Sequence, residues 1–307
     1  MTAPILADAL GPRARRKVLV YSIVAAVAVA ALAAVALNRL ADNGQFEAAK
    51  WRPFRLWAVW KFFLLGLVNT VKVATTSMGI AMAIGGLMAL GRLARNGPVR
   101  WLGGLYVEFF RGLPLYILIL FSWLGLPFIE IRSLGVEQGD LRLETFWVLV
   151  VGLTIYNSAV LAEIFRAGIL SLERGQSEAA YAVGLGYWQT MGYVVIPQAV
   201  RRMIPAIISQ LVTLLKDTSL GVLIGYDELL GRSRQNYQFF QNSLQSLGLA
   251  AVFYIAINST LSFVATRLEA RQRRRFGAGR IAVTGAEDLA VTTVKADTAA
   301  GEPPGRR

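Results

Sequence analysis

One run of residues decides which solvent this chain is built for. Val18–Leu37 reads VLVYSIVAAVAVAALAAVAL and carries no charge. A helix rises about 1.5 Å per residue, so roughly 20 such residues cross a hydrocarbon core of about 30 Å. Arg13, Arg15, Arg16 and Lys17 stand directly before it. A basic flank and an apolar core also describe a secretory signal, but this run is long and AVALNR makes a poor cleavage site. The segment therefore reads as a signal anchor. Length alone would allow two soluble domains. Hydrophobic residues at 55% and a mean hydropathy of +0.49 argue instead for a membrane protein.

Charge and residue usage exclude several function classes. A net charge of +13 would suit nucleic acid, but the basic residues cluster beside apolar runs. Arg271, Arg273, Arg274 and Arg275 follow the last run as Arg13–Lys17 precede the first. That is the pattern of cationic loops held at the cytoplasmic surface against membrane lipid, so no nucleic acid partner is expected. The chain has no cysteine, which removes disulfides and thiolate metal sites. It has no histidine, which removes the commonest general base and metal ligand. No catalytic residue, metal or cofactor is expected.

Further apolar runs cover Phe62–Leu90, Leu113–Ile129, Phe146–Ile164, a stretch starting at Met203, and Leu247–Val264. Phe62–Leu90 exceeds what a bilayer needs, so its start is expected along the surface, with Lys72 near the outer boundary where its stem can snorkel. The Leu113–Ile129 and Phe146–Ile164 runs are joined by a loop with Glu130, Glu137, Asp140 and Glu144 against Arg132 and Arg142, the less basic side. Counting crossings gives an all-α integral membrane protein of six spans with both termini cytoplasmic. Arg92, Arg95 and Arg100 then fall on the inner side, while Lys50, Arg52 and Arg55 are the exception outside. There is no internal repeat and no heptad run. The chain divides into a basic N-terminus 1–17, an extra transmembrane helix 18–37, an extracytoplasmic segment 38–61, a transmembrane domain 62–267 and a basic tail 268–307. The tail is too polar to bury a core.

Between the fourth and fifth runs lies QSEAAYAVGLGYWQTMGYVVIPQA, Gln176–Ala199. Ser177 can cap a helix, Glu178 suits its first turn, and Ala179–Val183 continue it. Gly184 is a natural stop, and Gly186 keeps the helix from carrying on. A second short helix, about Tyr187–Val195, should end before Pro197. Two short helices with a glycine bend can seat one helix in a partner's groove. They can equally be an amphipathic connector lying on lipid, and local chemistry leaves both open.

The longer stretch GQSEAAYAVGLGYWQTMGYVVIPQAVRRMIPAIISQLVTLLKDTSL resembles the signature loop of permease subunits of bacterial ATP-driven (ABC) importers, in the polar amino acid branch, and the extra first span with ADNGQFEAAKWRPF looks like the glutamate-uptake type in particular. The matching residues are Glu178, Ala179 and Ala180, then Gly184, then Ile196 and Pro197, where the family more often has leucine before proline. Gln176, Gln189–Thr190, Pro197–Ala199 and KDTSL at Lys216–Leu220 match the branch. YVEFFRGLPL at Tyr106–Leu115 resembles its second signature, with Leu113 where threonine is usual. The resemblance spans about Leu65 to Arg267 and leaves out the first span and the tail. It implies the type I importer permease fold, a five-helix core plus one extra N-terminal helix, in the cell membrane of a bacterium. It implies a cytoplasmic ATP-binding subunit, a second permease subunit (identical or homologous), and an extracytoplasmic amino acid-binding protein. The loop 171–200, with Glu178, Ala179, Ala180, Gly184, Gly186 and Pro197, would be the coupling loop that docks the ATPase. The absence of any G-x-x-x-x-G-K-[ST] fits a subunit whose nucleotide chemistry is done by another chain.

The fifth run suggests where substrate passes. Met203–Leu215 is about 20 Å of helix, too short to cross, and extension to Gly225 brings Lys216, Asp217, Thr218 and Ser219 into the membrane zone. Each intramembrane charge costs roughly 2.5–3.5 kcal/mol, so either the helix breaks here beside a wet cavity or it ends at Leu215 with KDTS at the surface. The first option makes Gln210, Thr213, Lys216, Asp217, Thr218, Ser219 and Asn157 pathway residues, with Lys216 the cation for a glutamate. Ser158 beside Asn157 equally suits helix packing. Glu108 with Arg111 and Glu163 with Arg166, each at i,i+3, are candidate ion pairs at the cytoplasmic end. The reading is a non-catalytic permease subunit for a polar amino acid such as glutamate. Glutamine, arginine or histidine are alternatives, and an ion-coupled secondary transporter or a membrane scaffold are the competing classes.

Overall fold

A computed structural model describes residues 11–125, 141–172, 174–268 and 270. Residues 1–10, the acidic residues expected at 130, 137 and 140, and the tail from 271 lie outside the described residues. The described chain is helical. Helix α1 covers Pro12–Asp42, α2 Ala48–Trp51, α3 Trp57–Leu93, α4 Gly97–Gly112 and α5 Leu115–Gly125. Then come α6 at Leu141–Leu170, α7 at Arg174–Ala182, a turn of α8 at Tyr187–Gln189, α9 at Ile196–Asp217, α10 at Leu229–Phe240 and α11 at Ser243–Leu268. Five of these are long and apolar enough to span a membrane, and a bent pair, α4 with α5, makes a sixth if counted as one.

That pair changes the expected third span. GPVRWLGGLYVEFFRG forms helix α4 ahead of the apolar run, and α5 turns from it by 101°. Pro114 is the physical reason: it pushes Leu113 into extended backbone (φ −85°, ψ 137°), which ends α4. Helix α3, by contrast, is one piece of 37 residues.

The core is set by small residues at helical spacing. Gly66, Thr70, Val73, Ala74, Ser77, Met78, Ala81, Gly85 and Ala89 are the buried face of α3. Where lipid is as apolar as leucine, helices associate through close packing, which small residues permit. A Cβ on Gly85 would sit 2.8 Å from the Ser158 carbonyl oxygen of α6, and one on Gly152 of α6 would sit 2.9 Å from the Ile119 Cα of α5. Helix α6 is thereby the central element, packed on α3, α5 and α9, and it is the most buried of the spans. Helix α1 buries nothing against the rest, and its Leu19, Val29 and Leu32 point outward at 60%, 66% and 71% exposure. The linker behind it is tied down, because Asn242 Nδ2 donates to the Lys50 carbonyl and Gln245 to that of Gln45.

Candidate functional site: a coupling loop and a polar cavity

The loop after α6 folds partly as its sequence implies. Helix α7 starts at Arg174, so Ser177 lies within its first turns instead of capping it. It ends at Ala182, and Gly184 takes the left-handed conformation (φ +85°), which a glycine adopts without a Cβ penalty. Gly186 N–H donates to the Gln189 side chain at 2.9 Å and opens the next helix. That helix does not stop before Pro197. Residues Tyr187–Ile224 run on as one helical stretch, with a π-helical turn at Thr190–Val195. Proline is tolerated here because it sits at the start of α9, where the irregular π turn absorbs its missing N–H.

Glu178 and Ala179 are exposed while Ala180 is buried. Val183, Trp188 and Tyr193 stand out at 78%, 83% and 76% exposure. The loop is braced from three sides: Arg95 lies over the Tyr187 ring, Gln198 donates to Gln176, and Arg202 donates to the Ser171 carbonyl at 2.7 Å.

An ion-pair cluster stands at the same end of the bundle. Glu163 of α6 accepts from Arg166 at 2.5 Å, as its i,i+3 spacing implies, and from Arg92 of α3 at 2.7 Å. Glu108 of α4 pairs with Arg92 at 3.5 Å, not with Arg111. Arg92 was missed as a site residue because its partners are distant in sequence. It thus joins α3, α4 and α6.

Arg111 instead lines a cavity of about 450 Å³ with Leu115, Tyr156, Val160, Gln210, Thr213, Asp217 and Leu220. Gln210 Nε2 donates to Asn157 Oδ1 at 2.7 Å, and Asn157 is fully buried. At KDTS the helix tightens without a gap: α9 ends at Asp217, and Thr218–Ile224 continue as a 3-10 helix. Four residues in a row then face different ways. Asp217 faces this cavity and Thr218 is buried, while Lys216 and Ser219 line a second cavity of about 290 Å³ with Leu230, Leu247 and Tyr254. Lys216 is therefore separated from Gln210, Thr213 and Asp217, and Arg111 is the cation in their cavity. Tyr156 escaped notice in the sequence as one aromatic residue among many.

A family model described as the inner membrane component of binding-protein-dependent transport systems matches residues 79–275. The chain belongs to that family. The permease is 39% identical over 242 residues to the glutamate transport system permease protein GluD of Corynebacterium glutamicum, covering 78% of this chain and 85% of GluD. It is 32% identical over 208 residues to the arginine transport system permease protein ArtQ of Bacillus subtilis, covering 68% and 91%. A crystal structure of an amino acid ABC transporter with histidines matches with TM-score 0.60 and 27% identity, over 69% of the permease and 94% of that chain. The permease is accordingly a multi-pass membrane subunit of an ABC transport system.

Proposed function

We propose that the permease passes a polar amino acid, with glutamate first among the candidates, through the cavity between α4, α5, α6 and α9. We propose also that a separate ATPase drives it through the exposed loop 171–200. The observation that carries this is the pair of opposite charges, Arg111 and Asp217, lining one cavity with the neutral hydrogen-bonding groups of Tyr156, Gln210 and Thr213. A guanidinium presents a fork that matches an α-carboxylate, and a carboxylate suits an α-ammonium group. GluD and ArtQ are named for substrates of opposite side-chain charge that share this head group. Head-group recognition in the membrane leaves side-chain selection to an external binding protein. Lys216, in the neighbouring cavity, is then not the principal cation of the passage.

Family membership carries with it an ATPase and a substrate-binding protein. A second permease, identical or homologous, faces this chain in the reading. Glu178, Ala179, Ala180, Gly184, Gly186 and Pro197 shape the ATPase seat, and its exposed Val183, Trp188 and Tyr193 supply apolar surface for a groove. Both termini are then cytoplasmic. The test is uptake of labelled glutamate by vesicles holding the permease with its ATPase and binding protein, in competition with excess glutamine or arginine. Uptake should need ATP and fall at least about tenfold in Arg111→Ala. ATP-independent uptake, or uptake indifferent to Arg111, would sink the reading.

A further inference from the structure

Glu228 is a fully buried carboxylate that neither the cavity nor the loop uses. It lies at the opposite end of α9 from the coupling loop, in the turn between the 3-10 segment Thr218–Ile224 and α10. As the N-cap of α10 it accepts from Leu230 N–H at 2.8 Å and Gly231 N–H at 2.5 Å. Two backbone donors would complete a cap, yet Oε2 also accepts from the Tyr254 hydroxyl of α11 at 2.7 Å. Tyr254 also lines the cavity of about 290 Å³ beside Ser219 of the 3-10 segment, and the Tyr226 N–H of the turn donates back to the Gly221 carbonyl of that segment at 2.9 Å. Thr70 Oγ1 accepts the Leu229 N–H at 3.1 Å, and the adjacent Asn69 donates to the Asp227 carbonyl at 2.9 Å. Helices α3, α10 and α11 thus converge on the turn that carries this carboxylate, directly after the 3-10 segment.

The convergence point holds the end of the cavity. Thr218 follows Asp217 directly, Leu220 comes two residues later, and Asp217 and Leu220 both line the cavity. On the other side the segment is pressed to α6, since a Cβ on Gly221 would sit 2.7 Å from the Leu149 side chain. A 3-10 turn has poorer backbone hydrogen-bond geometry than an α-helix, so it depends on such side contacts. In a low-dielectric interior, losing one member of a network leaves the others unsatisfied, which makes the arrangement cooperative.

We propose that Glu228 and Tyr254 are positioning residues: by fixing the turn at 226–228 they latch the 3-10 segment in place as the closure of the cavity on the side away from the coupling loop. The inference rests on the reading of that cavity as the passage. Neither residue touches substrate; each acts through that turn on the 3-10 segment and so on Leu220. Undoing the latch opens the cavity to the outer side without the binding protein.

The absence of cysteine makes a single introduced thiol an unambiguous reporter. Leu220→Cys is placed in the full transporter, in vesicles, and labelled without ATP by a charged, membrane-impermeant maleimide added outside. Tyr254→Phe deletes one hydroxyl and leaves the α10 cap intact; Glu228→Gln keeps the shape and weakens the acceptor. Each should speed outside labelling by about tenfold, the scale of one charge-assisted hydrogen bond. Each should also raise ATP hydrolysis in the absence of binding protein, lowering transport per ATP. A merely structural role would lower yield and leave both ratios unchanged. If Glu228→Gln fails to assemble, Tyr254→Phe decides. Unchanged outside labelling and unchanged hydrolysis in assembled Tyr254→Phe would overturn the latch. A Leu220→Cys thiol unreactive from both sides throughout turnover would overturn the passage itself, and the latch with it.

Discussion

Gln210 and Asn157 are 53 residues apart in the chain, yet the Gln210 Nε2 donates to the Asn157 Oδ1 across 2.7 Å. Asn157 also donates to the Leu153 carbonyl at 2.8 Å, so its buried amide is held on both sides. This contact fixes the position of Gln210 at the cavity wall. Asn157→Leu strands the Gln210 amide and should cost about 1–3 kcal/mol, whereas Asn157→Leu with Gln210→Leu should cost less than the sum. Thermal unfolding of the four members of that cycle in detergent measures it. Strict additivity would show that the bond contributes nothing.

Arg111 and Lys216 are both basic and adjoin different cavities, so they should behave differently. Arg111→Ala is expected to lower the uptake rate at least about tenfold, from loss of a bidentate carboxylate contact, with unfolding temperature little changed. Lys216→Ala should cost much less. Arg111→Lys should restore only part, because a point charge lacks the fork. Equal losses for Arg111→Ala and Lys216→Ala in initial-rate uptake assays would contradict this assignment.

Gly184 separates backbone from side-chain effects in the coupling loop. Its φ of +85° leaves open space where a Cβ would stand, so any penalty for alanine there is conformational. Gly184→Ala should weaken the bend by about 1–2 kcal/mol, and Gly184→Asn, which tolerates this region better, by less. Co-purification of the ATPase should follow that order. Identical retention for Gly, Asn and Ala would show that the bend does not govern docking.

Gly85 is the opposite case, a glycine required by contact. Any side chain meets the Ser158 carbonyl at 2.8 Å, so Gly85→Leu should overpack the α3–α6 seam and cost about 1–3 kcal/mol or prevent assembly. Gly79, with nothing within 4 Å, should accept alanine freely. The two melting temperatures give the comparison.

Glu228 predicts a pH dependence. Burial, with a smaller push from the Asp227 charge, raises its carboxyl from 4.5 to about 7, against the Tyr254 hydroxyl and two backbone N–H groups that pull it down. A carboxyl whose folded value lies above its unfolded value favours folding most below about 4.5, and that contribution is lost as pH rises through about 7. The unfolding temperature of Glu228→Gln should therefore vary less between pH 5 and pH 8 than that of the unaltered permease. Parallel curves would refute this.

Much was legible in the sequence because the bilayer imposes it. A span needs an uninterrupted apolar length, so α1, α3, α6 and α11 announce themselves by composition. Glycine at Gly184 and the misplaced polarity of KDTS are local signals, and the bend and the end of α9 at Asp217 follow from them. Other features were not legible. Helix α4 is amphipathic and short, so it lacks the apolar length that marks a span, and its angle to α5 depends on Pro114 in context. Pro197 reads as a stop because its missing N–H forbids continuation in a regular helix. A π turn at Thr190–Val195, which local preference does not foretell, lets the chain run on.

The sequence by itself determined that this chain lives in a membrane, and it marked the loop 171–200 as the candidate seat for a partner. Tertiary structure decided which charges meet. Spacing proposed Glu108 with Arg111, whereas packing of α3 against α4 and α6 brings Arg92 to both Glu108 and Glu163 and leaves Arg111 to the cavity. Adjacent Lys216 and Asp217 look like one cluster in a string of letters. On a helix successive residues point about 100° apart, so they part into two cavities, and the choice of faces belongs to the neighbours packed around them.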